Sequence, residues 1–319
     1  MIPGGFLEDI GVFMLIIIIL FIVGLYFLYC YAFGRDDKRL PDDDEIPKLE
    51  LYEEYRELIA KNIKEIKEAS FERVRIRTKD RVCLYGRYYH RVDNAPIMIM
   101  FHGYRGSALR DGMGAFKFSE ENGFNLLMVD QRGHRESGGK TITFGVRERY
   151  DCLEWINYIL SRFGKQTEIF LIGLSMGAST VLMATGLELP ENVKGVIADC
   201  GYSAPKDILM VVIRMMKLPE KLAYFAVRMS AKVFGGFDPE AASATEALSN
   251  CKVPILFIHG EDDSLVPCEM SRANFKACVS EKEIFTVPVA DHGMSYLLDE
   301  NGYKDKVYRF LKRNLSDKI

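Results

Sequence analysis

The sequence lacks the features that define several common classes of protein. Its 319 residues show no collagen-like or low-complexity bias, because 48% are hydrophobic and 27% are charged, as in globular chains. Lys and Arg number 42 against 45 Asp and Glu, so the net charge of −3 gives no global electrostatic reason to bind nucleic acid. No internal repeat is visible. The length fits one large domain or two small ones.

Cysteine pairs with C-x-x-C spacing are also missing. The seven cysteines are odd in number, and most lie in hydrophobic runs, which disfavours a disulfide framework and favours a reducing compartment. The histidines and cysteines do not fall at the spacings of metal ligands. We therefore predict no metal site and no cofactor, and the sequence indicates no obligate protein partner.

One long uncharged run stands out near the start of the chain. Residues 10–33 contain no charge, and a helix of that length reaches about 36 Å against a hydrocarbon core of about 30 Å. A cleaved signal peptide would need a basic start and a small-x-small cleavage site, and the residues before Cys30 do not suit lipoprotein processing. The run ends among tyrosines, as expected of an interfacial aromatic belt: Tyr26, Tyr29 and Tyr31. It predicts an uncleaved transmembrane anchor.

Basic residues flank only the C-terminal side of this anchor. None precedes it, whereas Arg35, Lys38 and Arg39 follow it, so the body of a single-pass protein is expected to face the cytoplasm. The next segment, 34–70, begins with a polar linker at 34–47 and continues with helical spacing over 48–69. We favour a helix packed on the domain surface over a spacer above the bilayer.

The body, residues 71–319, alternates strand and helix patterns. Period-two alternation on either side of a Lys79-Asp80 turn predicts an antiparallel hairpin, residues 73–77 with 82–89. Continuous hydrophobic runs predict parallel strands at 96–101, 125–129, 168–174, 193–198, 253–258 and 283–289. Helical patterns cover 110–121, 147–162, 176–187, 268–279 and 303–315. The fold class is therefore α/β: a mostly parallel eight-stranded sheet with helices on both faces. The long interval at about 204–249 predicts an inserted helical cap.

A candidate nucleophile lies at the end of one predicted strand. Gly173-Leu174-Ser175-Met176-Gly177 joins that strand to a helix, and flanking glycines let such a turn push the serine hydroxyl out of the sheet. A serine needs a base to take its proton. Among the five histidines, His292 alone comes after both the serine and a suitable acid.

The acid that orients this histidine is expected at a strand end. Asp263 is favoured, and its neighbour Asp262 and the strand-end residue Asp199 compete with it. Charge developing on the substrate oxygen needs two donors. The backbone N–H of Met176 follows the serine, and that of Tyr104 lies in a glycine-rich loop after the first parallel strand.

These motifs together resemble the α/β-hydrolase superfamily, in the branch that includes serine-aminopeptidase-like and monoacylglycerol-lipase-like serine hydrolases. They occur in the family's order, as His102-Gly103-Tyr104, Asp130-x-Arg132-Gly133-His134-x-x-Ser137-x-Gly139, Gly173-x-Ser175-x-Gly177, His259-Gly260-x-x-Asp263-x-x-Val266-Pro267 and His292-Gly293. The resemblance implies a catalytic triad of Ser175, Asp263 and His292, with Tyr104 and Met176 as oxyanion donors. It does not specify the substrate.

The cap suggests a substrate class. Between residues 204 and 237 it has six basic residues against two acidic ones, and it contains Met210, Met215, Met216 and Met229. Flexible thioethers suit an adaptable hydrophobic pocket, and cations suit anionic headgroups. We therefore expect a carboxylic-ester hydrolase that takes an acyl ester or a lipid-like substrate. The alternatives are an aminopeptidase or amidase with the same triad, and a catalytically silent anchored binding protein.

Overall fold

The structure is a computed structural model that describes residues 4–35, Ile46 and residues 50–316. Its strands are β1 (Glu72–Arg77), β2 (Cys83–Tyr89), β3 (Ile97–Phe101), β4 (Asn125–Asp130), β5 (Ile169–Leu174), β6 (Val193–Asp199), β7 (Ile255–Gly260) and β8 (Lys282–Val287). Its helices are α1 (Gly4–Ala32), α2 (Glu50–Glu53), α3 (Arg56–Glu68), α4 (Ala108–Asp111), α5 (Met113–Asn122), α6 (Glu148–Phe163), α7 (Met176–Ala184), α8 (Pro205–Met215), α9 (Glu220–Ser230), α10 (Ala244–Leu248), α11 (Cys268–Ala277), α12 (Ser295–Leu298) and α13 (Glu300–Asn314). A π-helical turn, Ala231–Gly235, continues α9.

The strands form one sheet in the order β1-β2-β4-β3-β5-β6-β7-β8. The β1–β2 and β2–β4 pairs are antiparallel and the other pairs are parallel, which confirms the predicted hairpin and the mostly parallel sheet. The carboxyl ends of the parallel strands meet at one edge. The segments after β3, β5, β6, β7 and β8 therefore come together there.

Helices cover both faces of the sheet. Side chains alternate along β5, so Phe170 and Ile172 pack in one layer with α3, α5 and α13, and Ile169 and Leu171 pack in another with α6 and α7. We call these the α13 layer and the α7 layer. Both layers are continuous hydrophobic cores, as expected for parallel strands buried on both faces.

The end of α1 docks on the domain, which the sequence did not predict. Residues 11–24 are exposed throughout, whereas Leu25, Tyr29 and Phe33 are buried and recur on one face of the helix. The Phe33 ring is fully buried, with ring centroids 5.7 Å from Phe144 and 5.2 Å from Phe237. The predicted anchor of residues 10–33 is thus helical, but its last turns pack against protein. Tyr29 is not an interfacial residue, because it belongs to this packed face.

Outside the sheet, the sequence predicted a linker, a helix packed on the domain and a helical cap. Most of the predicted linker at 34–47 lies outside the described residues. The following helical pattern forms α2 and α3, and Ile59, Ile63 and Ile66 of α3 are buried in the α13 layer. The helix α3 thus packs on the domain. The predicted cap forms α8, α9, the π-helical turn and α10, and α9 packs directly against α1.

Candidate active site

Ser175 lies in a strained turn between β5 and α7. Its φ of 55° and ψ of −115° place it in a conformation that L-residues rarely adopt. The flanking glycines are required, since a Cβ on Gly173 would lie 2.3 Å from the Gly177 carbonyl carbon and one on Gly177 would lie 2.0 Å from the Phe101 carbonyl oxygen. The G-x-S-x-G segment therefore forms the tight strand-to-helix turn predicted from the sequence.

A continuous hydrogen-bonded chain leads from Ser175 through His292 to Asp263. His292 Nε2 lies 2.9 Å from Ser175 Oγ, and His292 Nδ1 lies 2.8 Å from Asp263 Oδ2. The other carboxylate oxygen, Asp263 Oδ1, accepts hydrogen bonds from the backbone N–H groups of Leu265 and Val266, at 3.0 and 2.7 Å. The structure thus brings together the three predicted side chains, and it holds the carboxylate in place from behind.

The pKa values of the hydrogen-bonded side chains suit a base at His292 and an anion at Asp263. Burial lowers the pKa of His292, but the hydrogen bond to Asp263 and that residue's charge outweigh it, so the net pKa lies above the usual value. Burial raises the pKa of Asp263, yet hydrogen bonds from His259 and His292 outweigh this effect and leave its pKa at about 2. Asp263 is therefore a stable anion at neutral pH.

Two further residues support the hydrogen-bonded chain of Ser175, and their contacts with it were not predicted from the sequence. His259 is fully buried, and its Nε2 lies 3.2 Å from Asp263 Oδ2, so a second imidazole fixes the carboxylate. Asp291 Oδ1 accepts hydrogen bonds from the backbone N–H groups of His292 and Ser264, at 2.7 and 2.8 Å. Asp262, the competing neighbour, is exposed. The adjacency of Asp291 to His292 was the available signal.

The predicted oxyanion donors lie beside Ser175. Met176 begins α7 immediately after the serine. A Cβ on Gly103 would lie 3.4 Å from Ser175 Cβ, so the Gly103-Tyr104 turn approaches the nucleophile closely. This turn is fixed because Asp111 Oδ2 accepts the Gly103 N–H at 2.8 Å.

The next residue of this turn is held by His134. Its Nε2 accepts the Arg105 N–H at 2.9 Å, which requires an unprotonated nitrogen there. Burial lowers the pKa of His134 well below its usual value and keeps the ring neutral. His134 is thus a structural residue that positions the loop.

The docked end of α1 contacts the same turn. Tyr104 donates its hydroxyl hydrogen to the Ala32 carbonyl at 2.9 Å, and Arg105 donates to the Tyr31 carbonyl at 2.8 Å. The Tyr104 ring stacks on Phe144, with centroids 4.9 Å apart, and Phe144 in turn contacts Phe33. A path of direct contacts therefore joins the hydrophobic helix to the loop beside Ser175.

Comparison with known proteins agrees with this architecture. A family profile described as the alpha/beta hydrolase fold matches residues 96–247. The esterase Pf2001 of Pyrococcus furiosus superposes with a TM-score of 0.65 at 25% identity, over 79% of this chain and 94% of the esterase. The chain has the α/β-hydrolase fold.

The relatives of this chain among curated proteins are distant. The uncharacterized protein YqkD of Bacillus subtilis is 28% identical over 196 residues, which are 61% of this chain and 64% of YqkD. The lysophosphatidylserine lipase ABHD12 of Rattus norvegicus is 26% identical over 190 residues, 56% of this chain and 44% of the lipase. The match therefore spans less than two thirds of either relative. The similar proteins thus include an esterase and a lipase.

A cavity of about 180 Å³ opens beside Ser175 in the α13 layer of the domain. Its walls come from the segments around α2, α4, α5, α12 and α13 and include Tyr52, Asp111, Ala115, Tyr296 and Tyr303. No residue of the described cap, 204–249, lines it. The expectation that cap methionines form the substrate pocket is thus wrong for this cavity. Met215 and Met216 are instead exposed, at 56% and 51%.

The basic charge of the cap is largely compensated. Arg228 and Lys232 pair with Asp238 at 2.8 and 3.1 Å, and Lys206 pairs with Glu240 at 3.0 Å. Both acids lie just beyond residues 204–237, the segment with the excess of basic residues. The cap therefore presents a weaker positive field than its sequence suggested.

One group of potential metal ligands occurs in the part of the chain that the structure describes. Ligand atoms of Cys200, Asp263 and His292 all lie within 4.8 Å of one another. Both ring nitrogens of His292 are engaged by Ser175 and Asp263, and burial raises the pKa of the Cys200 thiol well above its usual value. These groups fit the hydrogen-bonded chain better than a metal site, because metal binding needs a free imidazole nitrogen and a thiolate.

Proposed function

We propose that this protein is a membrane-anchored serine hydrolase that cleaves carboxylic esters. The observation that carries the proposal is the hydrogen-bonded chain from Asp263 through His292 to Ser175. His292 Nε2 takes the hydroxyl proton as Ser175 Oγ attacks the ester carbonyl carbon. Asp263 holds the Nδ1–H tautomer and stabilises the imidazolium. The similar esterase and lipase support esters as the substrate class.

The reaction proceeds through an acyl-enzyme. The tetrahedral intermediate places its oxyanion near the backbone N–H groups of Tyr104 and Met176. It collapses when the C–O bond to the alcohol breaks and His292 donates its proton to the departing oxygen. A water molecule, deprotonated by the same imidazole, then attacks the acyl carbon, and Ser175 leaves with the proton while the carboxylic acid is released.

Labelling with a fluorophosphonate probe tests the proposal. The wild-type protein should be labelled and should hydrolyse 4-nitrophenyl esters, and Ser175→Ala should lose both properties because no nucleophile remains. The matched control is Ser161→Ala, which removes an exposed hydroxyl on α6. Absence of labelling in the wild type would support the silent binding protein instead.

An aminopeptidase with the same triad is less well supported. Recognition of a free α-amine by the cap would need unpaired acidic groups there. Its candidates, Asp238 and Glu240, are already paired with Arg228, at 2.8 and 2.6 Å. Asp238 and Glu240 therefore already have a cationic partner.

The membrane part of the proposal is supported by α1. Residues Gly11–Ala32 make a helix long and hydrophobic enough, by length and composition, to cross a bilayer. We propose that it does so with the hydrolase domain in the cytoplasm, because basic residues follow the run and none precedes it.

Cysteine labelling tests this orientation. Cys83 is the exposed cysteine among the described residues, and most of the others are buried. A membrane-impermeant maleimide should label it in inside-out vesicles but not in intact cells, with Cys83→Ser as the control. Labelling in intact cells would reverse the topology.

A further inference from the structure

The side chain of Asp199 enters the cavity beside the nucleophile. Asp199 ends β6, and its backbone carbonyl accepts the Ser175 N–H at 2.8 Å. Ile197, two residues earlier, packs in the α13 layer. Because side chains two residues apart share a face of a strand, the Asp199 carboxylate points to the same layer, where it lines the cavity with Ser175.

This carboxylate is buried and only partly satisfied. Asp199 is 2% exposed, and its Oδ1 accepts no hydrogen bond from any residue that the structure describes. The Tyr303 hydroxyl hydrogen-bonds to the carboxyl group. The nearby imidazoles of His259 and His292 are both bonded to Asp263. A buried carboxylate oxygen without a donor is costly, so a group that supplies positive charge would be favoured there.

The remaining charges of the cavity leave Asp199 as its unmatched anion. Asp111 forms an ion pair with Arg110 at 2.9 Å and also accepts the Gly103 N–H. The positive charge of Arg110 therefore compensates the negative charge of Asp111. The aromatic rings of Tyr52, Tyr296 and Tyr303 also line the cavity, and such rings attract cations through their π faces.

We propose that Asp199 binds an ammonium group of the substrate, so that the preferred esters carry a cation close to the scissile bond. This inference rests on the proposed ester hydrolysis and names its substrate class. The carboxylate supplies the counter-charge, and the tyrosine rings surround the cation. The pocket then selects by charge, whereas the hydrogen-bonded chain of Ser175 performs the chemistry.

The ionisation of Asp199 is consistent with this role. Burial raises the pKa of Asp199 to about 6, so the group is mainly ionised at pH 7.5. An ammonium ligand would stabilise the anion further.

Binding of small ligands tests the inference without hydrolysis. Calorimetry on the full chain in detergent compares n-butylammonium with 1-butanol at pH 7.5. The ammonium should bind about tenfold or more tightly, since a hydrogen bond to a buried charge is worth more than one to a neutral group. Asp199→Asn should remove the difference, and Asp93→Asn, an exposed carboxylate with 91% side-chain exposure, should keep it. Equal binding to the wild type overturns the proposal. Loss of the preference in Asp111→Asn but not in Asp199→Asn also overturns it.

An ester pair extends the test to turnover. Butyrylcholine and its neutral isostere 3,3-dimethylbutyl butyrate have the same shape and differ in charge. The quaternary ammonium donates no hydrogen bond, so its attraction to Asp199 and to the tyrosine rings is electrostatic. The ratio of the two esters' kcat/KM values should be about ten or more in the wild type and near one in Asp199→Asn. A ratio near one in the wild type, with fluorophosphonate labelling intact, rejects the ammonium site and leaves ester hydrolysis standing. Failure of labelling rejects ester hydrolysis, and the calorimetric result still decides the ammonium site.

Discussion

The two sides of Ser175 are built differently. On one side, the cap and the end of α1 meet in a buried aromatic cluster of Phe33, Phe144 and Phe237. On the other side, the α13 layer leaves a cavity of about 180 Å³ with carboxylates, an arginine and tyrosines in its walls. The cap, which would be expected to shape the substrate pocket, instead seats the hydrophobic helix. In the proposed function, recognition of the substrate therefore falls to the opposite layer.

The largest effect is expected at the hydrogen-bonded chain between the two sides. Asp263→Asn should lower kcat about 10⁴-fold, because the amide favours the wrong imidazole tautomer, as measured for this substitution in chymotrypsin-type enzymes. The measurement is the steady-state hydrolysis of a 4-nitrophenyl ester. Asp262→Asn is the adjacent control and should stay close to wild type, since Asp262 is exposed. The reverse ranking would assign the orienting acid to Asp262.

A large loss of stability is expected on the α1 side. Phe33→Ala removes a fully buried ring and should cost about 3–5 kcal/mol of unfolding free energy. Phe21→Ala removes a ring that is 52% exposed and should leave thermal unfolding in detergent unchanged. Equal unfolding temperatures for the two variants would show that α1 does not dock on the domain. This result would contradict the difference described between the two sides of Ser175.

A change of selectivity is expected on the cavity side alone. Ala115→Leu adds atoms to the cavity wall and should lower kcat/KM for octanoyl relative to acetyl esters by about tenfold. Met216→Ala, on the exposed face of the cap, should leave this ratio near its wild-type value. If the cap variant changes the ratio and the cavity variant does not, the substrate lies under the cap.

The smallest effect is a shift of the pH profile. Neutral His292 is the active base, and its pKa is raised, so kcat/KM should rise with pH through a midpoint above the ordinary histidine value of about 6.5. Asp263→Asn removes the stabilising anion and should move this midpoint to lower pH in the residual activity. A midpoint unchanged by the substitution would show that a group other than His292 controls the rise of kcat/KM with pH.

Local patterns were sufficient to predict the sheet and its turns. The predicted hydrophobic runs became β3 to β8, and G-x-S-x-G became the strained turn at Ser175, because each depends on residues close in sequence. Position along the chain also singled out His292 and Asp263, which the structure brings together.

The features that were missed depend on distant residues. Hydrophobicity cannot distinguish lipid from protein as the partner of α1, although the spacing of Leu25, Tyr29 and Phe33 was a signal of a packed face. The cavity wall joins Tyr52 to Tyr303, far apart in sequence. The positive charge of the cap was overestimated from residues 204–237 because Asp238 follows immediately after them.

The hydrogen bonds from Tyr104 and Arg105 to the carbonyls that end α1 have a consequence for how substrate arrives. A catalytic domain on a long loose tether would tumble and sample many heights above a bilayer. With α1 inserted in a membrane, the domain of this protein would keep a constant orientation and a constant distance from the lipid headgroups. The mouth of the cavity would then keep one direction relative to the leaflet, and that direction would be fixed by the fold.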